Sequence, residues 1–212
     1  MVLNSEKILV LAPHTDDGEL GCGATISKLI KLGKEVHYCA FSTCEKSVPE
    51  GFPKNVLEIE VKNATAILGI KKENLHILNF EVREFKRDRQ LILDAILKLK
   101  NKIKPDLVLL PSLKDIHQDH YTIAEEGIRA FKKCNLLAYE VVWNNFSLEN
   151  NLFIEVAESD LLNKINALKE YKSQGHRNYV TEEFVKGLAT VRGVQGNSQY
   201  AESFEIVRMY LK

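Results

Sequence analysis

Two kinds of apolar pattern alternate along the chain. Short runs rich in apolar and β-branched residues occur at Ile8–Ala12, Val36–Phe41, Leu75–Phe80, Leu107–Leu110, Leu136–Trp143, Ile154–Ala157 and Phe204–Met209, and each reads as a strand. Between them, apolar residues recur three and four apart, as a helix face requires. Ile26, Leu29, Ile30 and Leu32 do so up to Gly33. Leu57, Val61, Ala64, Ile67 and Leu68 lie within Val56–Leu68, which Gly69 ends, and Leu91, Ile92, Ala95, Ile96, Leu99 and Ile103 lie within Arg89–Ile103, which Pro105 separates from the next strand. Tyr121–Phe131 and Leu161–Tyr171 read as two further helices.

Strands that alternate with helices, the early ones almost wholly apolar, predict a mostly parallel sheet covered on both faces. The expected class is α/β, a Rossmann-like three-layer sandwich. No repeat, low-complexity tract or Gly/Ser linker interrupts the pattern, so residues 1–212 read as a single domain. In open sheets of this kind ligands sit beyond the carboxyl ends of the strands, which singles out the residues after Ala12 and after Leu110.

Composition narrows the partners. With 29 basic and 29 acidic residues the formal net charge is zero, so no global field recruits nucleic acid or an anionic membrane. The apolar runs are far shorter than the roughly 18 residues of a membrane span, and none is expected. Cys22, Cys39, Cys44 and Cys134 form no C-x-x-C pair, and Met1–Pro13 lacks the pattern of a secretory leader. The expectation is a cytoplasmic protein with reduced thiols.

Chemistry concentrates at the two suspect positions. His14-Thr15-Asp16-Asp17-Gly18-Glu19 follows the first strand, and Asp115-Ile116-His117-Gln118-Asp119-His120 follows the fourth. Neighbouring parallel strands would deliver both loops to one sheet edge, where imidazoles and carboxylates together suit a divalent metal. Two histidines and one carboxylate fit catalytic Zn2+, and the same set suits Fe2+. Taken singly, either cluster reads equally well as a helix cap and a surface histidine.

His14-Thr15-Asp16-Asp17, then Glu19-Leu20 and Gly21-Cys22-Gly23-Ala24-Thr25-Ile26, resembles the first motif of the LmbE/PIG-L family of zinc-dependent N-acetyl amino-sugar deacetylases. His117-Gln118-Asp119-His120 is similar to its second, and the likeness extends to Glu60, to Pro105-Asp106 and to Tyr171-Lys172-Ser173-Gln174. Thr15 stands where the family often has Pro, and Ala24 where it often has Gly. The resemblance implies His14, Asp17 and His120 as zinc ligands and Asp16 as general base, with a protonated His117 facing the oxyanion formed as water attacks the acetamide. Asp119, grouped with these catalytic residues, would hydrogen-bond an imidazole and fix its tautomer. The implied partner is a small amino-sugar substrate, and relatives commonly form homo-oligomers.

Other signals are weaker. Gly21-Cys22-Gly23 lacks the third glycine of a dinucleotide fingerprint and reads as a close approach of the first helix to the sheet. Arg83, beyond the third strand, and Arg192 are candidate substrate contacts, with solvated basic positions as the alternative for Arg83, Arg87 and Arg89. Trp143 reads as an aromatic plug rather than a sugar platform, and Cys22 as packing. Two rival functions stay open: a metal-dependent amide or ester hydrolase with a non-sugar substrate, and a non-catalytic Rossmann-like binding module.

Overall fold

The computed structural model describes residues 5–147 and 149–210. Thirteen strands and helices follow in order: β1 Lys7–Ala12, α1 Asp17–Lys31, β2 Glu35–Ala40, α2 Val56–Leu68, β3 Leu75–Ile77, α3 Arg89–Ile103, β4 Leu107–Pro111, α4 Gln118–Ala130, β5 Asn135–Tyr139, β6 Leu152–Glu155, α5 Glu158–Lys169, α6 Glu182–Gln195 and β7 Ala201–Arg208. They build one seven-stranded sheet of order β3-β2-β1-β4-β5-β7-β6. The first five strands are parallel, and β7 runs antiparallel to both β5 and β6.

Alternate strand residues feed two cores, which makes three layers. Ile8, Val10 and Ala12 face α1, α2 and α5, while Leu9 and Leu11 face α3 and α4. The expected α/β sandwich with a mostly parallel sheet is therefore the observed one. Differences lie at the ends and edges. β3 stops at Ile77, and the chain beyond it stays tied to β2 and the residue after it by Leu78 N to Ala40 O and Phe80 N to Phe41 O. β5 stops at Tyr139 because Val141 O turns back to accept from Asn144 N and Asn145 N. Helix α6 was not expected: Gly187 and Gly193 weaken its local preference, and Val191 and Val194, among its apolar positions, face solvent.

Helix α1 bends at Cys22, whose backbone leaves helical geometry at φ −147° and ψ 24°. The neighbouring glycine allows the close approach read from the sequence, since a Cβ on Gly21 would lie 2.2 Å from the Tyr139 ring. Beyond the bend a new helix start exposes unpaired N–H groups. The Glu202 carboxylate of β7 accepts two of them, Ala24 N at 3.1 Å and Thr25 N at 2.7 Å. The order in which successive strands are added reverses between β1 and the parallel β4, so α1 and α4 diverge there and open a crevice with both polar loops at its lip.

Candidate active site

Each imidazole is set by an element end. His14 leaves β1 directly, while His117 occupies the N-cap of α4 and His120 its first turn. Asp16 stands at the N-cap of α1 but makes no cap bond, so the capping role that an Asp-Asp pair suggests is not the one it plays. Ring nitrogens of His14, His117 and His120 lie within 4.8 Å of one another, a group that could hold a metal ion.

The donor atoms fit such an ion. His14 Nδ1, His120 Nε2 and Asp17 Oδ2 form a triangle with sides of 3.1, 3.2 and 3.2 Å. The outer nitrogens are held from behind: His14 Nε2 lies 3.0 Å from Asp119 Oδ2, and His120 Nδ1 lies 2.7 Å from Asp115 Oδ2. A neutral imidazole has one N–H and one lone pair. With a metal bound, neutral rings donating to these carboxylates would turn the lone pairs of His14 Nδ1 and His120 Nε2 inward, as metal ligands require. His117 is wired oppositely. Its Nδ1 accepts from Asp119 N at 3.2 Å, which puts the proton of the neutral ring on Nε2.

Electrostatics follow from this crowding. Burial opposes charge on His14 and His120, but Asp17 with Asp119 and Asp115 outweighs it and holds their pKa values up at about 9 and about 10. Asp17 stays well below the usual carboxylate range despite burial, because both imidazoles face it. Burial, reinforced by Asp17, pushes Asp16 up to about 6. The His117 pKa is lowered by burial and by its two histidine neighbours, and its Nδ1 accepts the Asp119 N–H, a setting that favours the neutral ring. The neutral ring still keeps one N–H donor, at Nε2.

Beneath the loop lies a buried tyrosine clamp. Tyr38 and Tyr171 hydroxyls both donate toward Thr15 O, at 2.9 and 2.7 Å, and both touch the Glu19 carboxyl. Burial raises the Glu19 pKa to about 8, so near neutral pH this carboxyl carries its proton and can share in the network. A cavity of about 350 Å3 opens above the histidines, lined on its far side by Trp143, Gln174, Arg177 and Tyr179.

A family model described as PIG-L, GlcNAc-PI de-N-acetylase, matches residues 9–131, more than half of the chain. The chain belongs to the PIG-L family. Among curated proteins it is similar to diacetylchitobiose deacetylase of Thermococcus kodakarensis, 26% identical over 95% of this chain and 83% of that one. Among solved structures it resembles N,N'-diacetylchitobiose deacetylase of Pyrococcus horikoshii, with TM-score 0.79 and 22% identity over 96% of this chain and 84% of that one. GalB, the 4-carboxy-2-hydroxymuconate hydratase of Pseudomonas putida KT2440, has TM-score 0.75 and 20% identity over 98% of both chains.

The remaining candidates scatter in this PIG-L chain. Arg83 approaches through its backbone: at φ 72° its N–H donates to Asp119 Oδ2 at 2.7 Å, while its side chain is exposed and lies outside the cavity lining. Arg192, expected as a substrate contact, does not line this cavity: its guanidinium is paired with buried Glu140, from Nε at 3.0 Å and from Nη2, in the adjoining pocket. Trp143 packs on Tyr179 with centroids 3.7 Å apart, and both line the cavity. Cys22 is packing, its Sγ meeting Gly18 O at 3.2 Å. Sequence reasoning missed Arg177 and Tyr179, which lie outside every motif, and gave Asp115 no role although it sits five residues before His120.

Proposed function

We propose that this chain is a zinc-dependent hydrolase that removes the acetyl group from an N-acetylated amino sugar or its conjugate. The family and the deacetylase relatives support N-deacetylation. The single observation that carries the metal assignment is the triangle of His14 Nδ1, His120 Nε2 and Asp17 Oδ2, with sides of 3.1, 3.2 and 3.2 Å, whose two imidazoles are backed on their outer nitrogens by Asp119 and Asp115. His14, Asp17 and His120 would hold the ion, Zn2+ or the Fe2+ that the same donor set suits. A divalent ion there supplies Lewis acidity that acidifies water and polarises the acetamide carbonyl.

The chain's own groups do the rest. Asp16, half-buried beside the triangle and with a pKa near 6, takes the water's proton at its carboxylate and stands ready to return it to the leaving amine. His117 Nε2–H donates to the oxyanion as it forms. Asp119 holds His14 in the required tautomer through Oδ2. The strand order β3-β2-β1-β4-β5 supports a Rossmann-like scaffold with its cleft at the reversal. No helix among the described residues is long and apolar enough to cross a membrane, and a cytoplasmic setting agrees with four free, buried cysteines. Self-association, expected from the resemblance, is read by light scattering.

A second reading, a metal-dependent enzyme acting on a non-sugar substrate, is favoured by the GalB likeness, since that name gives a hydratase on the same fold. Metal content of the purified protein, measured beside acetate release from N-acetylglucosamine conjugates with and without zinc, tests both. Zinc-dependent acetate release is expected. Bound metal with no acetate from any sugar would overturn the sugar assignment in favour of the second reading.

A further inference from the structure

We propose that Arg177 anchors an anionic substituent, a carboxylate or a phosphate, carried by the sugar substrate; this rests on the deacetylase reading. Arg177 is the one Lys or Arg side chain lining the cavity above the histidines, and it has no ion-pair partner among the described residues. Its attachment is nevertheless built from inside the protein. Arg177 Nε donates to Gln174 Oε1 at 2.8 Å, Gln174 Nε2 donates to Ser173 Oγ at 3.2 Å, and Ser173 Oγ donates to Glu60 Oε2 at 2.6 Å. Ser173 N also donates to Glu60 Oε1 at 2.9 Å, and Glu60, Ser173 and Gln174 are all buried.

Every donor in this chain points the same way, from the guanidinium toward the buried carboxylate, so each bond polarises the next. One edge of the guanidinium is thereby fixed, while its group lies over the Tyr179 ring at 5.6 Å, itself stacked on Trp143. The terminal Nη groups remain for a ligand. A planar guanidinium with paired N–H groups matches the two oxygens of a carboxylate or phosphate better than a single neutral hydroxyl.

Charge argues the same way. A divalent ion offsets the two carboxylates of the lining, Asp16 and Asp17, and Arg177 then leaves the cavity with one positive charge in excess. Arg177 and Asp16 line the same cavity, so the anionic group would sit on the acetylated sugar or on the unit joined directly to it. Glu60 is a positioning residue for Arg177, on α2 and away from the reacting atoms.

The test compares acetate release by the zinc-loaded protein from N-acetylglucosamine, from N-acetylglucosamine 1-phosphate and from N-acetylmuramic acid, the last two separating phosphate from carboxylate. The expected result is a kcat/KM at least about tenfold higher for one anionic sugar, the factor one charge-assisted hydrogen bond carries. Arg177→Gln should bring that ratio close to one, mainly through KM, and Glu60→Gln should lower it in the same sense by less. A wild type without the preference, or an Arg177→Gln protein that keeps it, overturns the proposal. Should no sugar release acetate, the deacetylase reading fails separately, and calorimetric binding of glucose 1-phosphate decides the anion site. Affinity at least about tenfold weaker in Arg177→Gln upholds it, and equal affinity overturns it.

Discussion

Lys164 and Glu202 form a buried ion pair, Nζ to Oε1 at 2.6 Å, at the bend of α1. Lys164 also donates to Leu20 O at 2.7 Å, and Glu202 receives Ala24 N and Thr25 N, so the pair closes both helix ends that the bend at Cys22 creates. The bend aims the first segment of α1, and with it Asp17, at the histidines. Lys164→Met would leave the Glu202 charge buried with only backbone partners. Loss of one member of such a pair typically costs about 3 to 5 kcal/mol, and urea denaturation should show a loss of that order. An unchanged midpoint would contradict the assignment.

Asp16 and the imidazoles should separate in a metal assay. Asp16→Asn is expected to retain metal and lose roughly 100-fold or more in turnover, while His14→Ala and His120→Ala lose metal as well. His117→Ala should keep metal and lose about 100-fold in kcat, the scale of one oxyanion donor. Metal analysis of the purified variants checks this, and an empty His117→Ala protein would make that histidine a ligand instead.

Asp115 holds His120 Nδ1 at 2.7 Å without lying in the donor triangle. Asp115→Asn should therefore weaken metal affinity by about 10- to 100-fold, with the fold intact. Competition with a chromogenic chelator measures it, and an affinity equal to wild type would rule out this support.

His76, at the β3 edge, stacks on His37 with centroids 5.5 Å apart, its Nε2 lying 3.2 Å from His37 Nδ1. Burial, then Lys102 and His37, lowers the His76 pKa from 6.5 to about 4. Between those values the unfolded chain binds a proton that the folded one does not, so stability rises with pH through this window and is lost as pH falls. Denaturant midpoints at about pH 7 and about pH 4.5 should fall further for wild type than for His76→Gln. Equal falls would show that His76 contributes nothing to the slope.

Much of the fold was legible because burial repeats with a period. Leu57, Val61, Ala64 and Leu68 mark one face of α2, and the apolar runs of β1 and β4 mark strands covered on both sides. Helix α6 was not legible, because its glycines and exposed valines blur that period.

By itself the sequence determined the alternating α/β pattern, the two loops after Ala12 and Leu110, and the residue types able to bind a metal there. Only the tertiary structure decided which nitrogen of each histidine faces inward, because a tautomer is set by the partner behind the ring, Asp119, Asp115 or a backbone N–H. It also decided that Arg177 faces the cavity while Arg192 is held by Glu140. Both are arginines near the end of one chain, and no local pattern distinguishes them. Arg177 is held by Gln174, three residues before it, whereas Arg192 is held by Glu140, 52 positions away, and that distant partner exists only once the chain has folded.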